Sequence, residues 1–245
     1  MIIFLTSHFV LSQVGNLLKT EDFFIEKYQR ISNQQDSEIK ANLSLDYFET
    51  FKDFLSKNQK SFTYDFQKIK KETGLYVATS KDGKLRFYTW DTQMGGTMKN
   101  FAQIIQFQSD GKVATLSNNS DNDAYFVSKI FDVNINNKRY YLVISNGVFS
   151  TKDVSQAVQA LRIENGKLID TDKIFRTKKE TLNRIESSFD FFSVVNRPER
   201  PLELITFDDK TDSVYFPLVN EKGEVTPKRL VYQKKGNYFE FKGIQ

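Results

Sequence analysis

The chain has 245 residues, with 35 basic side chains against 31 acidic ones, 39% hydrophobic residues and no cysteine. That length admits one generous domain, or one domain with an appendage, and can bury a sizeable core. The missing cysteines exclude thiol nucleophiles, disulfides and thiolate metal sites together. A net charge of +4, spread over scattered pairs such as Lys138-Arg139 and Lys234-Lys235, provides no basic stripe for a nucleic-acid partner.

Met1 to Leu11 is an apolar run without a charged side chain. A membrane-spanning helix needs roughly 20 such residues, so no integral span is expected here. The run has the length of the apolar core of a secretory signal peptide, and Val10 and Ser12 supply small residues three and one positions before a cut after Ser12. Residues 1–12 therefore read as a signal peptide that lacks its basic start, which places the mature protein in the periplasm or outside the cell. A buried first strand using Ile2 and Phe4 is the other reading. His8 is the only histidine and lies in the segment that would be removed.

Residues 13–73 read as a helical preface. Phe24, Tyr28 and Ile31 recur at helical spacing from Thr20 onward, with Glu21 and Asp22 early and Arg30 late. Ser37 is the expected N-cap of a second helix, with Ile39, Leu43, Tyr47, Phe51 and Leu55 as its apolar stripe. Ser37 and Lys40 also spell the Ser-x-x-Lys of penicillin-binding enzymes, but the companion Ser-Asp-Asn and Lys-Thr-Gly motifs are absent from the chain. The stretch Phe62 to Phe66 fits helix or strand, and a short last helix is expected to stop at Gly74.

Residues 74–245 read as an antiparallel β domain. Asp82-Gly83, Asp110-Gly111, Asn136-Asn137 and Asn165-Gly166 are hairpin tips about 26 to 29 residues apart, each between two strand-like runs. With the first tip at Asp82-Gly83, Val77 falls opposite Tyr88. Leu168 to Phe175 and Phe189 to Val195 read as strands, Asn196 to Pro201 as a linker. Leu202 to Phe207, Ser213 to Val219, Lys228 to Tyr232 and Tyr238 to Phe241 read as a terminal meander. The fold class is mainly β, a series of antiparallel hairpins in a barrel, sandwich or propeller-like arrangement, with a helical N-terminal segment. The 23 Phe and 11 Tyr suit its interior.

The candidate binding residues are Trp90, Asp91, Gly95 and Gly96. An acid beside the chain's one Trp is able to orient a sugar hydroxyl, and two adjacent glycines let backbone amides turn toward an anion. A wide turn with Trp90 in the core uses the same residues. Asn118 to Asp123 is rich in oxygen ligands, yet Ala124 stands where a calcium loop of the EF-hand type needs glycine. No metal or other cofactor is expected. Asp208, Asp209 and Asp212 cluster at a turn, where exposure keeps acidities ordinary, so no catalytic residue is assigned.

The run Thr79-Ser80-Lys81-Asp82-Gly83-Lys84-Leu85-Arg86-Phe87-Tyr88-Thr89-Trp90-Asp91, followed by Gly95-Gly96-Thr97, resembles a segment of exported bacterial proteins with no assigned activity. Those proteins often carry Ser where Thr89 stands. The resemblance covers residues 54 to 107 and implies export and a mostly β fold, without a catalytic residue. Together these features lead to the expectation of a non-enzymatic exported protein that binds a protein or glycan. The alternative is a carboxylate-dependent hydrolase of glycans or the cell envelope.

Overall fold

The computed structural model describes residues 4–118, 124–197 and 201–245, with side chains from Lys19 onward except at Asn118 and Pro201. Three helices open the chain: α1 (Phe4–Asn33), α2 (Ser37–Lys57) and α3 (Gln67–Thr73). α1 is continuous from Phe4 through Thr20, so the described part of the first segment is helix and the strand reading is corrected. Asp36, and not Ser37, caps α2, because its carboxylate accepts the backbone N–H groups of Glu38 and Ile39, both at 3.0 Å. Ile39 is half exposed, while Ser44 and Phe48 join Tyr47, Phe51 and Leu55 on the buried face. The buried stripe thus shifts to the face that meets the sheet below it. Phe62 ends a short 3-10 turn (Gln59–Phe62), and α3 stops at Gly74, whose φ of 69° suits a residue without Cβ.

The strands form three sheets. The first runs β1 (Tyr76–Thr79), β2 (Leu85–Asp91), β3 (Phe101–Ser109), β4 (Lys112–Asn118) in that order. The second holds β5 (Tyr125–Ile135), β6 (Lys138–Val148), β7 (Asp153–Glu164), the short β8 (Lys167–Ile169) and β11 (Arg184–Asp190), in the order β11-β7-β6-β5 with β8 beside β7. The third combines β9 (Phe175–Arg176), β10 (Thr181–Leu182), β12 (Thr206–Asp208), β13 (Ser213–Val219), β14 (Val225–Lys235) and β15 (Tyr238–Ile244). The sheets do not close into a barrel.

All four expected tips are turns, and Val77 faces Tyr88 across the first. The three later tips are two-residue turns with positive φ at both positions, 52° and 75° for Asp110-Gly111, 47° and 60° for Asn136-Asn137, 50° and 73° for Asn165-Gly166. Elsewhere the strand reading needs correction. Leu168 to Phe175 divides between β8 and β9 in different sheets. The strand expected over Phe189 to Val195 instead begins at Arg184 and gives way after Asp190 to a 3-10 turn, with the Asp190 side chain accepting the Phe192 N–H. Leu202 to Phe207 holds only a 3-10 turn and β12. Nor is every pairing antiparallel, since β9 runs parallel to β15.

Packing stacks these parts as layers. The helices bury Phe24, Tyr28, Tyr47, Phe51 and Leu55 against Tyr88, Trp90 and Ile104 of the first sheet. The opposite face of that sheet, with Leu85, Phe87 and Phe107, packs on Val127, Tyr141, Val143 and Leu161 of the second. The second sheet's far face, with Leu142, Ile144 and Val158, meets Phe175, Val214, Phe216 and Phe239 of the third. A sheet covered on both faces explains the nearly unbroken burial of β2, β6 and β7.

Candidate functional site

Trp90 is completely buried, with its ring centroid 5.4 Å from that of Tyr47 and 5.6 Å from that of Phe51. Its indole Nε1 has no hydrogen-bond partner among the described residues, so packing is what holds it there. Strand alternation turns Asp91 the other way. There the carboxylate accepts the Gln93 N–H at 2.8 Å and pairs with Lys99 at 3.0 Å, while the Asp91 carbonyl accepts the Tyr28 hydroxyl at 2.9 Å. Burial pushes the Tyr28 phenol up to about 12 despite the hydrogen bond from Gln93. A Cβ on Gly95 would stand 2.1 Å from the Met98 carbonyl oxygen, whereas one on Gly96 would meet open space. The four predicted residues therefore share a loop junction, and Trp90 belongs to the core.

The rest of that segment is similarly committed. The Ser80 hydroxyl accepts the Leu85 N–H and donates to Asp82. Arg86, only 4% exposed, donates to the carbonyls of Ser61, Phe62 and Tyr64 at 3.2, 2.8 and 2.5 Å. Its guanidinium lies over the rings of Phe66 and Tyr88, and burial lowers its pKa. The Tyr88 hydroxyl donates to Gln106 Oε1 at 2.7 Å.

Asp82 and Asp132 are two carboxylates close enough to act on each other. Asp132 accepts the backbone N–H groups of Lys81 and Asp82 at 2.8 and 3.1 Å, and Asp82 accepts from Arg139 at 2.9 Å and the Tyr141 hydroxyl at 3.0 Å. Burial raises the Asp132 carboxyl. At Asp82 burial acts in the same direction but is outweighed by hydrogen bonds from Lys84, Ser80, Arg139 and Tyr141, which hold it below the usual range. The pair ties the first hairpin tip to β5 and β6. Asp208, also below its usual range, is held there by the Lys210 N–H and the Thr211 hydroxyl, so its exposure does not leave it ordinary. Ser37 is exposed at the start of α2. Asn118 ends β4, and the rest of the Asn118 to Asp123 cluster lies outside the described residues, as does part of the Asn196 to Pro201 linker. Among the described residues no group of three or more acids or histidines is placed to hold a metal ion, and no helix is long and apolar enough to cross a membrane.

A concave feature lined by both apolar and charged groups lies elsewhere, between the first and second sheets. A cleft of about 580 Å³ has Phe87, Ile105, Val127, Val143, Leu161 and Leu168 as apolar walls, and Gln103, Ser117, Tyr125, Ser145, Gln159, Asp170, Arg184 and Glu186 as polar lining. This lies in the size range of ligand pockets, roughly 300–1,000 Å³. β2, β3 and β4 form one wall and β5, β6, β7, β8 and β11 the other. At one end Glu186 accepts the Tyr125 hydroxyl at 2.6 Å and the Ser155 hydroxyl at 2.5 Å. Arg184 reaches Glu186 at 3.2 Å, donates to Ser145 at 3.3 Å and lies 4.8 Å from the Tyr125 ring centroid. Burial pulls the Glu186 carboxyl upward, but these hydrogen bonds and Arg184 prevail and hold it below its usual range.

None of the cleft's polar residues was singled out by sequence. Arg184-Ile185-Glu186-Ser187-Ser188-Phe189 does alternate, and that period marks the strand carrying Arg184 and Glu186. What it lacks is any mark that this edge faces a second sheet. No protein-family model matches the chain, and no curated protein matches it in sequence.

Proposed function

We propose that this chain is a non-enzymatic, exported β-rich protein that acts by binding a partner in the cleft between its first two sheets. The cleft itself carries the reading: apolar walls end in a polar group whose side chains are already oriented by one another, as a binding site requires. Glu186 is kept charged by its neighbours, the opposite of what a general acid needs. Asp132, whose pKa is raised, has its oxygens committed to two backbone N–H groups at a hairpin tip. Hydrolysis of a glycoside calls instead for two carboxyl groups facing each other across the substrate.

Export is supported by the apolar run Met1 to Leu11 and the spacing of Val10 and Ser12. Among the described side chains of α1 the buried ones run from Glu21 to Ile31, beyond the 12 residues that cleavage would remove. Cell fractionation with N-terminal sequencing tests this part, and a cytoplasmic chain that keeps Met1 would overturn it.

Binding is tested with the neutral dye N-phenyl-1-naphthylamine, whose fluorescence rises in an apolar site. The wild type should enhance it saturably, and Leu168→Trp, which fills the cleft from β8, should abolish the rise while the protein stays folded by circular dichroism. Enhancement that survives Leu168→Trp, or none in the wild type, would remove the cleft as the site.

A further inference from the structure

The mouth of the cleft is bordered by a free sheet edge. β4 is the outermost strand of the first sheet, and its register with β3 pairs Ser109 with Lys112 across a two-residue turn. Hydrogen-bonded pairs in such a hairpin fall at the turn and then at every second residue. They are therefore Ser109 with Lys112, Phe107 with Ala114 and Ile105 with Leu116. The N–H and C=O groups of Val113, Thr115 and Ser117 consequently point away from β3, and none of them has a backbone partner among the described residues. Leu116 lies on the cleft face of the same strand and is 45% exposed.

The lining is also unbalanced in charge. Asp170 and Glu186 stand against Arg184 alone, and Arg184 is paired with Glu186. The Asp170 carboxylate has no ion-pair partner among the described residues. A free β edge beside an apolar slot with one excess negative charge is complementary to an extended polypeptide that carries apolar side chains at alternate positions and a basic residue.

We propose that the cleft takes an extended peptide segment of a protein partner, which adds as a strand to the outer edge of β4, places alternate apolar side chains between the sheets and pairs a basic side chain with Asp170. This rests on the cleft being the binding site. The edge from Val113 to Ser117 accommodates about five residues, roughly 17 Å of strand. A glycan would use the polar lining but has no row of amides to pair with the edge.

The probes are two acetylated and amidated hexapeptides, Val-Thr-Val-Thr-Val-Lys and Lys-Val-Thr-Val-Thr-Val, and versions of each N-methylated at alternate amides. At least one unmodified peptide should bind by calorimetry and slow amide exchange at Val113, Thr115 and Ser117. N-methylation at the pairing amides should weaken it about tenfold or more, since backbone pairing supplies the affinity. Asp170→Lys should weaken the same peptide by a similar factor. Thr115→Pro, which removes one outward N–H from an edge strand, should do likewise. If Thr115→Pro does not fold, the N-methyl comparison decides alone. Dye binding without peptide binding, or equal affinity for the methylated and unmethylated peptides, would overturn the strand-addition proposal and leave the cleft standing. Loss of dye binding in the wild type would overturn both.

Discussion

The carboxylate of Glu21, on α1, accepts the backbone N–H of Ile69 at 2.7 Å and so caps α3 from a different helix. α3 has no side-chain cap of its own, because Phe66 stands at its N-cap in the left-handed region with a φ of 54°. The second oxygen of Glu21 accepts the Tyr64 hydroxyl at 2.6 Å, and the side chain is almost wholly buried. Glu21→Ala should therefore destabilise the protein by about 1–3 kcal/mol, the cost of leaving buried donors unpaired. Urea denaturation is the check, and a midpoint equal to the wild type would show that the cap does not contribute.

Arg86 joins the first sheet to the segment between α2 and α3 through three carbonyls. Arg86→Ala leaves those carbonyls without their donors and should cost on the order of 3 kcal/mol. Arg86→Lys should recover only part of this, because an ammonium group cannot match the planar fork that reaches Phe62 and Tyr64 together. Equal stability of the lysine variant and the wild type in thermal melts would show that charge alone suffices.

Trp90→Ala should cost about 3–5 kcal/mol, the range for deleting a buried large aromatic side chain. Because the indole Nε1 has no partner among the described residues, Trp90→Phe should cost less and retain the fold. Dye binding in the cleft should survive Trp90→Phe, since Trp90 faces the helices on the opposite side of the first sheet. Loss of the dye response in a folded Trp90→Phe protein would return Trp90 to the binding site.

The glycine pair should divide sharply. Gly95→Ala forces the backbone near Met98 to move and should lower the melting temperature and loosen the loop between β2 and β3. Gly96→Ala meets no neighbour and should leave melting unchanged. Matching melts for the two variants would remove the steric argument.

Asp82 links stability to pH. Its pKa in the folded protein lies below the usual carboxylate value near 4, so the folded state binds a proton less readily than the unfolded chain. Its contribution is fully present above the unfolded pKa and is lost as pH falls through the folded pKa. Asp132, raised by burial, acts in the opposite sense and gains from protonation. Asp82→Asn should therefore lose less stability than the wild type between about pH 5 and pH 2. Urea midpoints measured across that range will show a shallower acid limb if this is right and parallel limbs if it is not.

Much of the fold was legible because it is written in local chemistry. Asp110-Gly111, Asn136-Asn137 and Asn165-Gly166 contain residues that tolerate positive φ, which is why the turns fall where Gly, Asn and Asp stand between alternating runs. Gly74 ends α3 for the same reason. The breaks from expectation arise where contacts distant in sequence decide: Asp190 stops β11 by capping a 3-10 turn, and β9 joins the third sheet because Phe175 is buried beside Phe239.

The sequence by itself determined the class of elements, the hairpin tips and the register of the first hairpin, and the absence of thiol chemistry, because each depends on a residue's own conformational range or its own functional group. Only the tertiary structure decided that Trp90 faces the helices, that Asp82 and Asp132 clamp a hairpin tip, and that Arg184, Glu186 and Asp170 share a cleft with Phe87 and Leu116. Those relations come from stacking one sheet on another, where side chains far apart in the chain meet because each sheet has two faces to cover.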